Sequence, residues 1–411
     1  MINSGDHVTE RDDKPSGPLA GIRVIEVGQL LAGPYCGQLL GDLGAEVIKV
    51  EDPKHGDPMR QWGREKPHGK SLWWSVVARN KRSVGIDLRD KRGQDLLRAL
   101  IRDADVLVEN FRPGTLERWG LGYETLTADN PGLIMARVTG YGQTGPYSGR
   151  AGYGSIGEAM GGLRYVVGDP ATAPSRVGIS IGDTLAAIFA ALGVLSALVE
   201  RARTATGQVV DSAIYEAVFA VMESLVPDYA VGGHIRERTG PFLPDVAPSN
   251  VYPTSDGRQA LLAANQDTVF SRLAKAMGQA HLGSDARFSS HVARGAHQAE
   301  LDALIGEWTA TLTWKELEET CEEHGVPAGL MFRAPEMLAD PHFEARESIV
   351  YMEHPDFGHI PMQNVFPKLS RTPGKVRWVG PSLGEHTDQV LTDVGLSLEA
   401  LAELRAQGVV K

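Results

Sequence analysis

The chain has 411 residues, of which 42% are hydrophobic and 23% are charged. This is the composition of a folded globular protein, and it excludes disordered, collagen-like and disulfide-rich chains. The formal net charge of −11 comes without a basic block. Nucleic acid is therefore not an expected partner, because neutralising phosphates takes clustered lysine and arginine.

The chain length, the N-terminal segment and the number of cysteines set further limits. At about 150 residues per domain, two or three structural units are expected. Residues 1–16 are polar and charged, which predicts a disordered tail rather than a signal peptide. Two cysteines, Cys36 and Cys321, are too few for a disulfide framework or a cysteine-based zinc site. These features favour a cytoplasmic protein.

The first half of the chain alternates apolar runs of strand length with helical patterns. The predicted strands are residues 21–27, 45–50, 82–88, 105–109 and 133–139, and the predicted helices between them are 34–43 and 93–104. Buried strands that alternate with helices are typical of a doubly wound parallel sheet in an α/β fold.

The second half starts with the longest predicted helix, residues 183–203, followed by another over about 211–225. The apolar stretch 185–199 is too short to span a bilayer and indicates a buried helix. From about residue 226 the pattern changes to a strand at 259–264, amphipathic helices at 268–277, 299–310 and 313–324, and a last helix at 398–406. We predict a large domain over 17–225, a smaller α+β domain over 226–335, and a C-terminal segment over 336–411.

The turn after the first strand, residues 27–37, carries glycines and leads into a helix. A strand, a glycine loop and a helix N-terminus form a natural site for a phosphate or an adenosine. The spacing is not G-x-G-x-x-G, which disfavours a nicotinamide oxidoreductase. A turn that merely connects two elements is the alternative interpretation.

A second candidate segment, residues 109–122, follows another predicted strand. Phe111 could stack on a base, and Arg112 and Arg118 could reach phosphates, because ligands of such sheets bind at the carboxyl ends of the strands. Arg89 follows a neighbouring strand. The alternative is a β-turn with surface arginines.

Asp183 follows the glycine-containing segment 178–182 and precedes the long apolar helix. As a structural residue it would be the helix N-cap. As a functional residue, a carboxylate at a helix N-terminus is kept ionised and can attack an activated acyl group. No histidines show metal-ligand spacing and no G-x-S-x-G is present, so neither a metal site nor a serine hydrolase is expected.

Seven collinear segments together resemble the class III CoA-transferases, the family of formyl-CoA transferase and carnitine CoA-transferase. They are residues 18–26, 43–51, 80–88, 108–114, 140–146, 178–186 and 383–388. The resemblance implies a Rossmann-like large domain to which the C-terminal segment returns, a small domain between them, and a homodimer of interlocked chains. It also implies acyl-CoA and carboxylic acid substrates and no cofactor, since the CoA thioester is itself a substrate.

The resemblance implies that Asp183 is the catalytic carboxylate, which passes through aspartyl anhydrides and an aspartyl-CoA thioester. The CoA-binding positions of the family fall on Leu31, Ala32, Ile86, Arg89, Asn110, Phe111, Arg112, Arg118 and Tyr153. The sequence departs from the best-known relative at Asp52, where that relative has a cation, and at Gln29, where it has a histidine. Gly232-Gly233 is the nearest substitute for a glycine run that closes over the site.

α-Methylacyl-CoA racemases share this fold and form the main alternative. They need a histidine where this chain has Tyr153, and a phenol gives up its proton far less readily than an imidazole at pH 7. A nicotinamide oxidoreductase is the second alternative, although the glycine fingerprint that it needs is missing. A non-catalytic binding protein is the simplest alternative. The segment 140–153 looks closer to family members that use dicarboxylates such as succinate and glutarate. Arg176, Arg236 and Arg238 are candidates to bind a distal carboxylate, or are surface arginines.

Overall fold

The computed structural model describes Val8–Thr9 and residues 16–411. Almost all of the predicted tail over residues 1–16 therefore lies outside the described residues. The described strands are β1 (Val8–Thr9), β2 (Arg23–Glu26), β3 (Glu46–Glu51), β4 (Lys81–Gly85), β5 (Val106–Glu109), β6 (Ile134–Thr139), β7 (Val209–Ala213), β8 (Ser249–Pro253), β9 (Gln259–Ala263), β10 (Ala328–Leu330), β11 (Ile349–His354) and β12 (Gly358–Gln363).

The described α-helices include short single turns and one helix of 24 residues. They are α1 (Ala32–Asp42), α2 (Leu72–Val77), α3 (Lys91–Arg102), α4 (Thr115–Arg118), α5 (Tyr123–Thr127), α6 (Gly154–Met160), α7 (Leu163–Val166), α8 (Ile181–Thr204), α9 (Ile214–Phe219), α10 (Leu225–Gly232), α11 (Asp267–Ala276), α12 (His291–Ala296), α13 (Gln298–Thr309), α14 (Trp314–His324), α15 (Ala334–Ala339), α16 (Pro341–Ala345), α17 (Thr387–Asp393) and α18 (Leu398–Ala406). Short 3₁₀ helices lie at Pro58–Gln61, Pro67–Gly69 and Ala280–Ser284.

The main sheet has six parallel strands in the order β4-β3-β2-β5-β6-β7. In the centre, Ile25 of β2 is in register with Ile48 of β3 and with Leu107 of β5. The chain runs outward from β2 to β4 and then returns beside β2 with β5. This reversal creates the crevice at the carboxyl ends of β2 and β5 where open α/β sheets bind ligands. The predicted α/β fold with a doubly wound parallel sheet is confirmed.

Both faces of this sheet are covered by helices, so most residues of the inner strands β2, β3 and β5 are buried. One face packs against α1, α8 and α9, where alanines such as Ala186 and Ala190 let α8 approach closely. The other face packs against α3 and the C-terminal helices α17 and α18. The last residues also bond the end of β4, because Lys411 N–H donates to Gly85 O and Asp87 N–H donates to Val409 O.

The chain divides into two compact units. The first contains Met1–Leu163, Gly178–Ser224 and Glu344–Lys411, and the second contains Arg164–Val177 and Leu225–Phe343. The second unit is built on the antiparallel sheet β10-β9-β8, whose buried face packs against α11, α13 and α14. A third small sheet, β1-β11-β12, belongs to the first unit.

Arg294 organises the core of the second unit. Its side chain is fully buried and donates to the carbonyl oxygens of Ala247, Phe288 and Asn265, and it pairs with Asp267 at 2.7 Å. One side chain therefore satisfies three carbonyl groups from three separate segments.

We expect Arg294→Met to lower the free energy of unfolding of the second unit by about 3 kcal/mol or more, because three buried carbonyls lose their donor. Denaturant unfolding followed by circular dichroism measures this loss. Arg287→Met, which removes a half-exposed arginine seven residues away, is the matched control and should unfold like the wild type. Equal unfolding midpoints for the two variants would contradict this role of Arg294.

Two element predictions are wrong in part. The helix predicted over 211–225 begins only at Ile214, because Val209–Ala213 forms the edge strand β7. This strand contains Asp211 and is only partly buried, so its sequence lacks the apolar pattern of a buried strand. Asp183 is not the N-cap of α8: the N-cap is Ser180, and Asp183 lies in the first turn, three residues later.

The apolar stretch 185–199 lies inside α8, which is longer than predicted. Among the described residues α8 is the one helix long and apolar enough to cross a membrane, so the inference from length was wrong. Core helices of soluble proteins meet the same criterion, and α8 packs along α1, α9 and β6. A membrane protein is not indicated, and the cytoplasmic location stays a prediction.

Candidate active site

The carboxyl edge of the main sheet collects the predicted site residues. Parallel register places the residues that follow each strand along one edge of the sheet. The predicted residues come from the segments after four strands and from the start of α8. They are Leu31 and Ala32 after β2, Ile86 and Arg89 after β4, Asn110, Phe111, Arg112 and Arg118 after β5, Tyr153 after β6, and Asp183 in α8.

Asn110 ties the two central loops together at the crevice. Its side-chain amide donates to the carbonyl oxygen of Gln29, and its carbonyl oxygen accepts the Gln29 N–H, both at 2.8 Å. The backbone of Gly28 approaches Gly33 and Asn110 so closely that a Cβ atom on Gly28 would lie 3.2 Å from Gly33 Cα and 3.3 Å from Asn110 Oδ1. Asn110 therefore fixes the loop that leads to Leu31 and Ala32.

The carboxylate of Asp183 lies directly against the backbone of Gly154. A Cβ atom on Gly154 would come within 2.2 Å of Asp183 Oδ2, so no larger residue fits there without displacing the carboxylate. Gly154 is the first residue of α6 and Asp183 lies in the first turn of α8. Both helices thus begin at the carboxylate.

The residues next to the Asp183 carboxylate are also closely packed. Gly182 has no room for a side chain, because a Cβ atom there would lie 3.0 Å from the Gly154 carbonyl and 3.1 Å from the side chain of Ile214. Glu158, one turn into α6, is buried next to Gly182. Two glycines therefore let α6 and α8 meet at Asp183.

The cations predicted for CoA phosphates are exposed at the sheet edge. The side chain of Arg89 is 83% exposed and lies 3.7 Å from Asp52. Burial opposes the ionisation of Asp52, but the N–H groups of His55 and Lys54 and the charges of His55 and Arg89 outweigh it and lower its pKa. Arg118 donates to the hydroxyl of Thr115 at 3.0 Å. The anion at Asp52 is thus paired with the cation of Arg89.

The other residues predicted to bind CoA differ in how much of the side chain is exposed. Ile86 is 1% exposed and packs in the core, so only its backbone can meet a ligand. Ala32 is also buried. The ring of Phe111 packs edge-on against Trp119 at 5.5 Å, while the Phe111 N–H is held by Glu109 at 2.7 Å. Tyr153 is 68% exposed and is the N-cap of α6, next to Gly154.

Comparison with known proteins now adds to this geometry. The family model described as CoA-transferase family III matches residues 19–387, which is most of the chain. The chain belongs to CoA-transferase family III. The class III CoA-transferase predicted from the sequence motifs is confirmed as its family and enzyme class.

Similar proteins agree along the whole length of this CoA-transferase. It is 59% identical to succinyl-CoA–D-citramalate CoA-transferase of Chloroflexus aurantiacus, over 97% of this chain and 99% of that protein. It is 38% identical to succinate–glutarate CoA-transferase of Agrobacterium fabrum, over 92% and 96% of the two chains. The crystal structure of a CAIB/BAIF family protein from Brucella suis superposes with a TM-score of 0.83 at 35% identity, over 92% of this chain and 100% of that chain.

The sequence analysis of this CoA-transferase missed two kinds of residue. Gly154 was not singled out as a site residue, although its missing side chain makes room for Asp183. Lys49 and Asp57 were not considered, although both contact the first loop. A signal for Lys49 existed: a lysine inside an otherwise apolar buried strand is too costly unless it is paired.

The arginines considered for a distal carboxylate belong to the second unit of the CoA-transferase. Arg176 lies in its segment Arg164–Val177, Arg236 pairs with Asp228 at 3.2 Å, and Arg238 donates to the carbonyl oxygen of Tyr165 at 3.1 Å. Gly232 and Gly233 are in the same unit, at the end of α10, with open space around both.

Proposed function

We propose that this CoA-transferase moves CoA from succinyl-CoA to a second dicarboxylic acid, with Asp183 as the covalent carrier. The observation that carries the proposal is the seat of Asp183 between the N-termini of α6 and α8, against the bare backbone of Gly154. A carboxylate held at the start of a helix can attack an acyl thioester as a nucleophile.

The reaction proceeds by four acyl transfers at this carboxylate. Asp183 attacks the thioester carbonyl of the donor, which forms a mixed anhydride and releases CoA thiolate. The thiolate attacks the aspartyl carbonyl, which forms an aspartyl-CoA thioester and releases the donor acid. The acceptor carboxylate then displaces CoA thiolate from that thioester and forms a second anhydride. Attack of the thiolate on the acceptor acyl carbon yields the new acyl-CoA and regenerates Asp183.

Local groups are suited to this chemistry. Each attack creates a tetrahedral oxyanion, which preorganised N–H donors stabilise. The first-turn N–H groups of a helix have no partner at positions i−4, so the start of α8 presents donors beside Asp183. Because anhydride and thioester are both activated acyl groups, no ATP is required.

The choice of substrates rests on relatives. The protein that is 59% identical is named for succinyl-CoA and D-citramalate, and the one that is 38% identical is named for succinate and glutarate. Both names pair succinate with another dicarboxylic acid. D-citramalate is therefore the first acceptor to test and glutarate the second.

A donor–acceptor matrix tests this function. Succinyl-, glutaryl-, formyl- and butyrobetainyl-CoA are each incubated with free succinate, D-citramalate, glutarate, formate and butyrobetaine, and the CoA esters are read by mass spectrometry. We expect the highest kcat/KM for succinyl-CoA with D-citramalate. Transfer confined to formate or butyrobetaine would refute the dicarboxylate proposal, and absence of any transfer would refute the proposed function as a whole.

The racemase alternative is not favoured. The relatives reported above are named CoA-transferases, and the position of the second base is occupied by the exposed phenol of Tyr153. A racemase would incorporate solvent deuterium at the α-carbon of a 2-methylacyl-CoA without any acceptor acid. We expect no such incorporation.

We also propose that the enzyme acts as a homodimer, as the family resemblance implies. Ile188, Leu192 and Val199 form an exposed apolar stripe on one face of α8, at intervals of one and two helical turns. Exposed apolar patches of this kind mark protein contact surfaces. A second copy of the chain is the partner that fits a homodimer.

We expect Leu192→Glu chains to be recovered as monomers, because a charge buried in an apolar interface loses its hydration and opposes assembly of the two chains as they fold. Light scattering coupled to size-exclusion chromatography measures the molar mass. Leu398→Glu places the same charge on an equally exposed leucine of α18 and should leave the mass unchanged. A dimeric Leu192→Glu variant would show that this stripe is not the interface.

A further inference from the structure

A buried ion-pair network lies beneath the loop that joins β2 to α1. The ammonium of Lys49 is 2.7 Å from Asp57 Oδ2 and 3.1 Å from Glu26 Oε1, and the other oxygen of Glu26 is 2.7 Å from Lys81 Nζ. The four side chains are 1% exposed or less. Two cations thus balance two anions in a space closed to water.

Three members of this network bond the backbone of the loop or of the first turn of α1. The Lys49 ammonium donates to the carbonyl oxygen of Gly28, and Asp57 Oδ1 accepts the Leu30 N–H at 3.0 Å. Lys81 donates to the carbonyl oxygen of Pro34 at 2.6 Å. These bonds bracket Leu31 and Ala32, the two positions of the loop that the family resemblance places at CoA.

The loop has a backbone conformation that needs such support. Leu30 has φ +64°, in the left-handed region that L side chains rarely adopt. A conformation of this kind persists only where its surroundings fix it. Asp57 accepts a hydrogen bond from Leu30, and Asn110 makes two hydrogen bonds with the preceding residue, Gln29.

We infer that Lys49 and Asp57 are positioning residues, which hold the loop at residues 28–31 in its CoA-binding conformation and thereby set the KM for acyl-CoA. This inference rests on the proposed function, because it takes the loop as a CoA site. Stability alone is a poor explanation for the pair, since well-packed apolar residues stabilise a core as well as or better than a buried ion pair.

Electrostatics support the ionised state of the pair. Burial opposes the ionisation of Asp57, but the charge of Lys49 and the N–H groups of Met59 and Leu30 outweigh it, and the pKa of Asp57 is lowered. Burial likewise opposes the charge of Lys49, but Asp57, Glu26 and Glu51 together raise the pKa of Lys49. Both groups therefore stay charged at neutral pH.

Two variants separate positioning from stability. Asp57→Asn keeps an oxygen that can accept the Leu30 N–H, but it leaves Lys49 with one anion fewer. The double variant Lys49→Met/Asp57→Leu removes both charges together, leaves Glu26 paired with Lys81, and deprives Gly28 and Leu30 of their partners. We expect the single variant to have the lower Tm and the double variant to have the higher KM for succinyl-CoA, by about tenfold, with kcat changed far less.

We therefore expect Asp57→Asn to be the less stable variant and the double variant to bind acyl-CoA less well. If the pair served stability alone, the variant with the lower Tm would also have the higher KM. Glu46→Gln removes a carboxylate from the opposite end of β3, where it pairs with Arg23 and Arg82, and serves as the control with wild-type KM. A double variant with wild-type KM, or a KM that follows Tm across the variants, would overturn the inference.

A second readout does not depend on the reaction. Amide hydrogen exchange in the peptide that covers residues 28–31 should be about tenfold faster in the double variant than in the wild type and unchanged in Glu46→Gln. If the wild type transferred no CoA, the proposed function would fail while this measurement still decided whether the pair holds the loop. Unchanged exchange in the double variant would overturn the inference on its own.

Discussion

Replacing Asp183 by asparagine is expected to lower kcat for CoA transfer by about 10⁴-fold, because an amide can form neither the aspartyl anhydride nor the aspartyl-CoA thioester. Binding of CoA should change little, since the amide occupies the same space as the carboxylate. Steady-state kinetics measure kcat, and isothermal titration with CoA measures binding. Hydroxylamine added during turnover should label Asp183 in the wild type.

Asp129→Asn is the control for this experiment, because Asp129 is a half-exposed carboxylate paired with Arg98 on the surface. Its kcat should equal that of the wild type. If Asp183→Asn kept more than about a hundredth of wild-type kcat, another group would be the carrier. Hydroxylamine label on a different carboxyl group would identify that group.

Gly154→Ala is expected to lower kcat by about 10²-fold, with little change in Tm. The new Cβ atom would lie 2.2 Å from Asp183 Oδ2, so the carboxylate must move by about 1 Å, and a displacement of this size at the reacting group costs about two orders of magnitude in rate. Alanine is otherwise well tolerated at the first position of a helix, so the fold should be preserved.

Gly149→Ala, in the loop that precedes α6, is the matched control, because a Cβ atom at Gly149 meets no atom within 4 Å. Kinetics of both variants with succinyl-CoA and D-citramalate make the comparison. Equal kcat values for the two variants would show that Asp183 does not need its contact with Gly154. A fall in Tm for Gly154→Ala alone would instead indicate a structural effect of the substitution.

The sequence was sufficient for the parts of the fold that are set by local pattern. The strands β2, β3 and β5 are almost entirely buried and contain the apolar residues 24–25, 47–48 and 106–108, and their order beside helices predicts the parallel sheet. The edge strand β7 is half exposed and contains Asp211, so its pattern is weak. It was therefore assigned to a helix.

The candidate site likewise contains residues that local sequence pattern could place and residues that it could not. Residues that follow strands, such as Asn110 and Arg89, can be placed at the sheet edge from sequence because strand ends are visible there. The contact between Gly154 and Asp183 joins two helices that are distant in sequence, and the pair of Lys49 and Asp57 depends on how a loop returns over β3. Contacts of this kind are set by tertiary packing, which local patterns do not encode.

The bonds between the C-terminal segment and β4 bear on how the protein is made in the cell. Thr387 accepts the N–H of Gly85, Lys411 donates to the carbonyl oxygen of Gly85, and Val410 pairs with Ile86. The strand β4, which leads to Arg89, is therefore completed by residues that are synthesised some 300 positions later. A nascent chain lacks this support until the residues from Thr387 to Lys411 have been made, so the edge of the sheet beside β4 is completed late in folding.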